Sequence, residues 1–345
     1  MLKEILKETM KIKPLTFRDF MELSLYHNDY GYYTQKVNLG KEGDFYTAPI
    51  LTKSFGYTLA KYANNLSNNY GIKLKLLEYG AGTGKMAQDI LDWFFSQKLF
   101  PDYYIVEISP HLQKLQAKNL QNYQSQVYHL DSLPENFSGI ILANEVVDAF
   151  PVHRVILQKG ALRELYVGIN EDGALFEYPG ELSSSEIATY LKEANIYPVE
   201  GQILEINLAA LNWLSNLYHN LSHGAVIIID YGYNTEELYH PFRKEGTLTS
   251  FARHRQQNPL KNPGKQDITS HVDFGMLRKK AKELGFQEIE FVSQGNFLIN
   301  AGILELIKQE NLTQTLESYQ ETLKIKKLIL PPMGEVFKVL VLIKK

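Results

Sequence analysis

Cysteine is absent from this chain of 345 residues, and its absence excludes several classes of chemistry. There can be no disulfide, no thiol nucleophile, and no zinc or iron–sulfur site built on cysteine ligands. Long apolar runs are also missing, since no stretch approaches the roughly 18–20 residues that span a bilayer. The net charge of −3 gives no electrostatic attraction for nucleic acid or an anionic membrane. We therefore expect no nucleic acid partner and no membrane-spanning segment.

The N-terminal residues, MLKEILKETMKIK, mix acidic residues with lysines. They lack the apolar core of a signal peptide and the arginine-rich, acid-poor composition of a transit peptide, so we expect a cytoplasmic protein. The composition, 44% hydrophobic and 22% charged, is that of an ordinary soluble globular protein. The length is sufficient for one large α/β domain with insertions or for two domains.

The most informative stretch is LLEYGAGTGKMAQDIL, from Leu76 to Leu91. Apolar residues and Glu78 come first, and three glycines follow at alternate positions, Gly80, Gly82 and Gly84. Because an amphipathic run comes next, this order predicts a buried strand, a tight turn and a helix. The N–H groups of such a turn and the positive end of the helix favour a carboxylate or phosphate ligand. The alternative is a glycine turn that binds nothing.

The glycine spacing indicates which ligand is expected. A dinucleotide turn, G-x-G-x-x-G, would need its third glycine at position 85, which is Lys85. A P-loop is excluded because Met86 stands where Ser or Thr should follow the lysine. The observed pattern, E-x-G-x-G-x-G, looks like motif I of the class I methyltransferases that use S-adenosylmethionine (SAM).

Strand and helix patterns alternate through the middle of the chain and predict an α/β fold. The predicted strands are Leu74–Glu78, a strand ending at Glu107, a short strand ending near Asp131, Gly139–Asn144 and Ala225–Asp230. Continuous apolar strands between helices indicate a mostly parallel sheet covered on both faces. We expect the last strand, Phe337–Leu342, to run antiparallel, as in the Rossmann-like sheet of class I methyltransferases.

Four regions are predicted along the chain. They are an N-terminal helical extension with an aromatic loop (1–70), the first half of the SAM-binding core (71–150), an insertion of β-hairpins and helices (151–224), and the second half of the core (225–345), which contains a loop at 231–274 and an insertion at 294–333. Helices are expected at residues 1–26 and 272–284. The loop Asn28–Ile50 is either a lid over the ligand or a surface loop packed by its own rings.

Polar residues are expected at four strand ends, where the ligand of an open α/β sheet lies. They are Glu78, Glu107, Asp131 and the pair Asn144–Glu145. Glu107 could accept both hydroxyls of a ribose, because a carboxylate offers two oxygens. Asp131 follows the third strand, where a carboxylate commonly meets the adenine amino group. Each acid could instead be a solvated loop carboxylate.

Glu145 and Asp148 are the candidate acids on the substrate side. They are three residues apart and would face the same way on a helical turn. Two carboxylates could then hold a guanidinium group in a bidentate grip. Alternatively, these acids cap the following helix or pair with Arg154.

Three histidines, His153, His254 and His271, are further acid/base candidates. Asp267 could simply be the cap of the helix predicted to follow it. No cluster of His, Asp and Glu has convincing metal-ligand spacing, so no metal site is predicted.

The chain resembles the MidA-like SAM-dependent methyltransferases, the family of the mitochondrial complex I assembly methyltransferase. The resemblance runs nearly end to end and is carried by YGYY, GDFYTAP, EISPHL, ANEVVDAFPVH, IDYGY, GTLTSFARHR, DITSHVDF, GNFLINAGI and MGEVFKVL. It implies a class I methyltransferase fold with an insertion, and methyl transfer from SAM. One departure is Ile50, where the family usually has an acid.

The predicted site follows from these patterns and from the resemblance. The predicted cofactor-binding residues are Glu78, Gly80, Ala81, Gly82, Thr83, Gly84, Glu107, Ile108, Asp131, Ser132, Leu133, Asn144, Asp44 and Thr47. The candidate catalytic residues are Glu145, Asp148 and His271. The resemblance implies that the glycine loop holds the methionine part of SAM and that the GDFYTAP loop folds over it.

The resulting hypothesis is a SAM-dependent protein arginine methyltransferase that acts on a partner such as a respiratory complex I subunit. The first alternative is a small-molecule methyltransferase with the same fold, which two neighbouring carboxylates disfavour for neutral or anionic acceptors. The second is a non-catalytic assembly protein that binds SAM only for stability.

Overall fold

A computed structural model describes residues 1–35, 48–252, 255–306 and 315–345. Within these residues the helices are α1 (Leu2–Ile12), α2 (Phe17–Tyr26), α3 (Ala48–Leu51), α4 (Lys53–Tyr70), α5 (Lys85–Ser96), α6 (Pro110–Asn119), α7 (Ser185–Glu193), α8 (Leu208–Asn220), α9 (Thr235–Leu238), α10 (Phe274–Leu284), α11 (Gln294–Asn300), α12 (Leu316–Ile329) and α13 (Met333–Val336). Two 3-10 turns lie at Gln121–Tyr123 and Val147–Ala149. Among the described helices, none combines the length and apolarity that crossing a bilayer requires.

The strands alternate with these helices. They are β1 (Leu15–Thr16), β2 (Lys75–Tyr79), β3 (Asp102–Val106), β4 (Val127–Leu130), β5 (Phe137–Asn144), β6 (His153–Gln158), β7 (Ala161–Ile169), β8 (Leu175–Gly180), β9 (Ile203–Ile206), β10 (Leu221–Tyr233), β11 (Thr249–Ala252), β12 (Arg255–Gln256), β13 (Asp267–Thr269), β14 (Val272–Asp273), β15 (Gln287–Ser293) and β16 (Phe337–Lys344).

The chain forms two compact units, each assembled from three separate segments. The first unit comprises Met1–Asn38, Val147–Leu214 and Gly232–Lys280, and the second comprises Leu39–Val146, Ser215–Tyr231 and Ala281–Lys345. A boundary predicted between residues 224 and 225 falls inside strand β10. We describe each unit by itself.

The second unit contains the large sheet, with the strand order β15-β16-β10-β5-β2-β3-β4. Strands β10, β5, β2, β3 and β4 pair in parallel. Strand β16 pairs antiparallel with β10 and with β15. The α/β fold class and the antiparallel last strand are therefore confirmed.

The order of the strands creates a switch point beside β2. The chain passes from β2 to β3 and β4 on one side, and then returns to place β5 on the other side. Open α/β sheets bind ligands in the crevice at such a point, outside the carboxyl ends of the strands. These ends are Tyr79 of β2 and Asn144 of β5.

Burial of branched side chains stabilises this sheet. Leu76, Ile140, Ile227 and Val341 come from four adjacent strands, and none of them is exposed to solvent. Each such side chain contributes roughly 1.5–3 kcal/mol when it leaves water. This tightly packed interior fixes the strand ends that carry the candidate residues.

The first unit contains antiparallel strands, as expected for this part of the chain, while its role as an insertion stays a prediction. Its larger sheet has the order β1-β7-β6-β9, with β8 also on β7, and its smaller sheet has the order β12-β11-β13. The prediction of continuous helix over residues 1–26 is wrong, because β1 interrupts it and pairs with β7. Pro14 disfavours helix at Lys13, which is extended, and Thr16 accepts the Asp19 N–H (3.0 Å) to start α2.

The predicted helix over residues 272–284 begins two residues late. Val272 and Asp273 form β14, which pairs in parallel with the end of β10. Asp273 Oδ1 accepts the Met276 N–H at 3.0 Å, so Asp273 caps α10. The interpretation of Asp267 as a helix cap is therefore wrong, since Asp267 lies in β13.

Candidate functional site

The glycine turn of the second unit joins β2 to α5. Its glycines have left-handed φ values, +61° at Gly80, +54° at Gly82 and +79° at Gly84, which side chains rarely adopt. The Gly80 N–H donates to Val106 O at 2.9 Å and ties the turn to β3. Gly84 caps α5 without a side-chain hydrogen bond, and the first turn of α5 carries no acid. The positive end of this helix can therefore interact with a ligand carboxylate.

Glu107 follows β3 and lies beside this turn. Its side chain is buried, with Oε1 accepting the Ser109 N–H at 3.0 Å and Oε2 accepting from Gln116 Nε2 at 3.1 Å. Burial raises the pKa of Glu107, while the N–H groups of Ser109, Gln116 and Gly82 oppose that rise. A carboxylate offers two acceptor oxygens, and a contact between Glu107 and the ribose hydroxyls stays a prediction.

Two side chains on α6 hold the glycine turn, and the sequence reasoning missed both. Gln116 Nε2 donates to Gly82 O at 2.9 Å, and Asn119 Nδ2 donates to Thr83 O at 2.9 Å. The available signal was a glutamine one turn after the buried Leu112, on the apolar face of the helix. A buried amide at such a position requires polar partners from elsewhere in the fold.

Glu78 lies at the end of β2 and is almost entirely buried (2% exposed). Its Oε2 accepts the Tyr103 hydroxyl at 2.6 Å. Burial raises the pKa of Glu78 to about 7; the Tyr103 bond opposes this rise and the charge of Glu107 adds to it. The structure pairs Glu78, two residues before the glycine turn, with a protein group, and a direct ligand contact stays a prediction.

The predicted adenine border combines apolar and polar side chains. Ile108, two residues after the end of β3, is 55% exposed although it is a large apolar residue. After β4, Asp131 and Ser132 are exposed and Leu133 is buried. An exposed isoleucine and a solvent-facing carboxylate match the flat face and the amino group of an adenine ring.

The end of β5 presents further polar groups. Among the described residues, Asn144 Oδ1 is a buried acceptor without a hydrogen-bond partner, while Asn144 Nδ2 donates to Glu145 Oε1 at 3.2 Å. Glu145 has a left-handed backbone (φ +52°) and donates its N–H to Ile229 O. Asp230 Oδ2 accepts the Val146 N–H at 3.2 Å. Because Glu145 precedes the 3-10 turn, the prediction that it shares a helical face with Asp148 is wrong.

Asp148 belongs to the first unit, where it lies in a cluster of buried acids and tyrosines. Asp148 and Asp267 are 5% and 6% exposed, and Tyr33 donates its hydroxyl to Asp267 Oδ1 at 2.7 Å. Burial raises the pKa of Tyr33 well above its usual range, and the charges of Asp267 and Asp148 raise it further. The Tyr26 ring stacks on Tyr33 with centroids 5.6 Å apart. This cluster brings two buried carboxylates close to a partly buried tyrosine.

Arg154 does not form the ion pair that the sequence suggested as an alternative. It is buried between Glu177 and Glu205, and its guanidinium stacks over Phe17 at 5.1 Å. This ion pairing places Arg154 in the structural core of the first unit.

The histidine candidates have different environments. His153 Nδ1 lies 2.8 Å from the buried Glu164 carboxylate and is part of the sheet packing. Burial and the nearby positive charge of Arg243 lower the pKa of His271 to about 4, and its ring packs 5.3 Å from that of Tyr233. A ring with so low a pKa is a weak base, and a catalytic role for His271 stays a prediction.

Three predicted residues, Asp44, Thr47 and His254, lie outside the described residues. Residues 1–35, 48–252, 255–306 and 315–345 contain no group of three or more His, Asp or Glu side chains arranged to hold a metal ion.

The second unit therefore presents the chemistry that SAM requires. Contacts of the glycine turn and the helix start with the methionine end, of Glu107 with the ribose and of Ile108 with the adenine stay predictions. The buried, unpartnered Asn144 Oδ1 offers one more acceptor at the end of β5. When bound, SAM supplies an activated methyl group on a cationic sulfur.

Comparison with known proteins agrees with this chemistry. Residues 58–292 match the family model described as "Putative S-adenosyl-L-methionine-dependent methyltransferase". A candidate methyl transferase from Burkholderia thailandensis, solved bound to S-adenosyl-homocysteine, is 32% identical to this chain. The two structures superpose with a TM-score of 0.93, covering 99% of this chain and 92% of that one.

Relatives from animals are also similar. "Protein arginine methyltransferase NDUFAF7, mitochondrial" of Danio rerio is 29% identical, with 88% of this chain and 76% of the relative covered. The Homo sapiens protein of the same name is 26% identical over 88% of this chain and 73% of the relative. Because these relatives are mitochondrial proteins, the predicted cytoplasmic location is contradicted and we withdraw it.

The matched family model spans more than half of the chain, and the bacterial relative aligns with nearly all of it. The expected class I fold, the SAM cofactor and the methyltransferase activity are thereby confirmed. This chain belongs to the family of S-adenosyl-L-methionine-dependent methyltransferases.

Proposed function

We propose that this enzyme is a protein arginine N-methyltransferase that methylates a partner protein. The observation that carries the proposal is the buried cluster of Asp148 and Asp267 around the Tyr33 hydroxyl in the first unit. The names of the animal relatives support the same acceptor. A respiratory complex I subunit is the partner class implied by the family resemblance.

An arginine acceptor fits the charge of this cluster. A guanidinium is planar, remains cationic at pH 7 and presents five N–H donors, which carboxylates accept in pairs. Two buried carboxylates would be unfavourable beside a neutral or anionic acceptor, because nothing would offset their charges. Asp148 and Asp267 therefore have the charge that a guanidinium acceptor requires, and Tyr33 holds Asp267 through its 2.7 Å bond.

The transfer needs few chemical steps. A guanidinium nitrogen attacks the methyl carbon of SAM, so an N–C bond forms while the C–S bond breaks and its electron pair stays on sulfur. The products are S-adenosylhomocysteine and a methylated guanidinium, and the displaced proton passes to a carboxylate and then to water. The protein contributes alignment and negative charge, since the donor is already activated.

The test is a search for methylarginine with a matched set of variants. Wild-type enzyme, Asp148→Asn and Asp267→Asn are incubated with lysate and labelled SAM, and labelled peptides are analysed by mass spectrometry. Asp172→Asn, on an exposed turn, is the control. We expect methylarginine with wild type and control, and roughly a tenfold to hundredfold lower rate with the two buried variants.

Calorimetry with S-adenosylhomocysteine separates the acceptor from the cofactor. We expect Asp148→Asn and Asp267→Asn to bind this product as wild type does. Label found only in small molecules, or on residues other than arginine, would overturn the proposed acceptor while leaving the methyltransferase activity intact.

A further inference from the structure

A single buried amide links the two cofactor-binding features of the second unit. Gln116 on α6 is completely buried, and its Nε2 donates both to Gly82 O (2.9 Å) and to Glu107 Oε2 (3.1 Å). We propose that Gln116 is a positioning residue that sets the ribose-binding carboxylate against the glycine turn, and that His129 fixes the orientation of its amide.

The surrounding groups determine which way the amide points. Both groups beside the nitrogen, Gly82 O and the Glu107 carboxylate, only accept hydrogen bonds. The oxygen faces His129 Nε2 at 2.9 Å, and that nitrogen must carry a hydrogen to donate. A flipped amide would place an acceptor against two acceptors, so one arrangement is strongly favoured.

Gln116 uses its hydrogen-bonding capacity for ligand-facing groups. Both amide hydrogens are donated, one to the turn that faces the methionine end and the other to the acid that faces the ribose. The loss of this amide would remove the side-chain donor to Glu107 Oε2 and would leave Gly82 O without this donor. Backbone N–H groups also hold Glu107, but Gln116 is the side chain that ties it to the glycine turn, so we expect the affinity for the ribose hydroxyls to depend on Gln116.

Two neighbours on α6 provide contrasts. Gln113 is the same residue type on the same helix, but it donates to the backbone oxygen of Glu107 at 2.6 Å, whereas Gln116 donates to the carboxylate. Asn119 reaches the turn through Thr83 O but is exposed. Gln113 is therefore the matched control, because its loss disturbs α6 and Glu107 without removing the bond to Oε2.

The experiment measures binding of two ligands by calorimetry. One is S-adenosylhomocysteine, and the other is its 3′-deoxy analogue, which lacks one ribose hydroxyl. For Gln116→Met, which keeps the length of the side chain, we expect roughly tenfold to hundredfold weaker binding of S-adenosylhomocysteine. The penalty that wild type shows for the deoxy analogue should shrink to about twofold or less, because Glu107 no longer grips the diol.

A purely structural role predicts a different result. General loosening of α6 would weaken both ligands equally, and Gln113→Met would reproduce the pattern of Gln116→Met. Either outcome overturns the proposal. In steady-state assays we expect the KM for SAM to rise in Gln116→Met while kcat at saturating SAM changes less than about threefold.

His129 offers a second variant that avoids the core, since it lies on the exposed edge strand β4. His129→Leu removes the donor to Gln116 Oε1 and keeps Gln116 itself. We expect a smaller loss, of about threefold to tenfold, with the same reduced penalty for the deoxy analogue. Unchanged binding of both ligands by His129→Leu would refute the part of the proposal that concerns His129.

Discussion

Because the carboxyl of Glu78 is buried, we can predict how strongly the stability of the protein depends on pH. Burial raises the pKa of Glu78 from its ordinary value of 4.5 to about 7 in the folded protein. Because its pKa is higher in the folded protein, the Glu78 carboxyl stays protonated to a higher pH in the folded state than in the unfolded state. The stabilising contribution is complete below pH 4.5 and is lost as pH rises through 7.

The magnitude follows from the difference between the two pKa values. Between pH 5 and pH 8 the unfolded carboxyl ionises freely, whereas the folded one resists ionisation. The linkage relation gives a loss of about 2.5 kcal/mol in the free energy of unfolding over this range. Glu78→Gln should remove this slope, because a glutamine does not titrate but can still accept the Tyr103 hydroxyl.

The assay is urea unfolding of wild type and Glu78→Gln at pH 5 and pH 8. The comparison uses the difference between the two proteins, so that titrating groups that do not interact with Glu78 cancel. Tyr103→Phe is the companion variant; it removes the bond that lowers the pKa of Glu78 and should steepen the slope. Equal pH slopes in wild type and Glu78→Gln would refute the assigned burial and pKa.

Four further predictions concern single residues. Gly84→Ala places a Cβ 3.3 Å from Leu120 on a residue with a left-handed backbone. We expect the free energy of unfolding in urea to fall by about 1–2 kcal/mol, and calorimetry to show weaker binding of S-adenosylhomocysteine. The control is Gly71→Ala, which is also left-handed but has open space around it and should keep full binding. Gly82→Val should abolish that binding, and retained affinity would mean that the turn is only structural. Arg154→Met leaves two glutamates without their cation and should cost about 3–5 kcal/mol in the same unfolding assay. Because the pKa of His271 is lowered in the folded protein, the unfolded state binds a proton more readily and the free energy of unfolding falls as pH falls from 6.5 toward 4. Between pH 7 and pH 5 this free energy should fall by about 2 kcal/mol more in wild type than in His271→Gln. An equal fall in both proteins would contradict the burial of this ring.

Local patterns predicted the parts of the site that depend on short stretches of sequence. The glycine turn and the position of Glu107 follow from a strand, a turn and a helix that are adjacent along the chain. The antiparallel β16 was predicted because class I methyltransferase sheets end in this way. These features depend on periodicity and backbone conformation, which neighbouring residues determine.

Features that depend on contacts between distant residues were not predictable in the same way. Tyr33 and Asp267 are 234 positions apart, and nothing in either stretch indicates that they share a hydrogen bond. Gln116 was visible as a polar residue on an apolar helix face, but its three partners come from a turn, a strand end and another strand. The argument from helical spacing was wrong for Glu145 because this residue has a left-handed backbone, and residue spacing does not indicate backbone conformation.

The division of each unit into three chain segments has a consequence for synthesis on the ribosome. Strand β16, residues 337–344, lies between β10 and β15, so the large sheet stays incomplete until these residues have been made. The first unit likewise requires β13 and β14, which follow residue 266. Contacts between such remote segments form slowly, because long loops must close before they are stabilised. We therefore expect a nascent chain that exposes unpaired strand edges through most of translation and depends on chaperones to avoid aggregation.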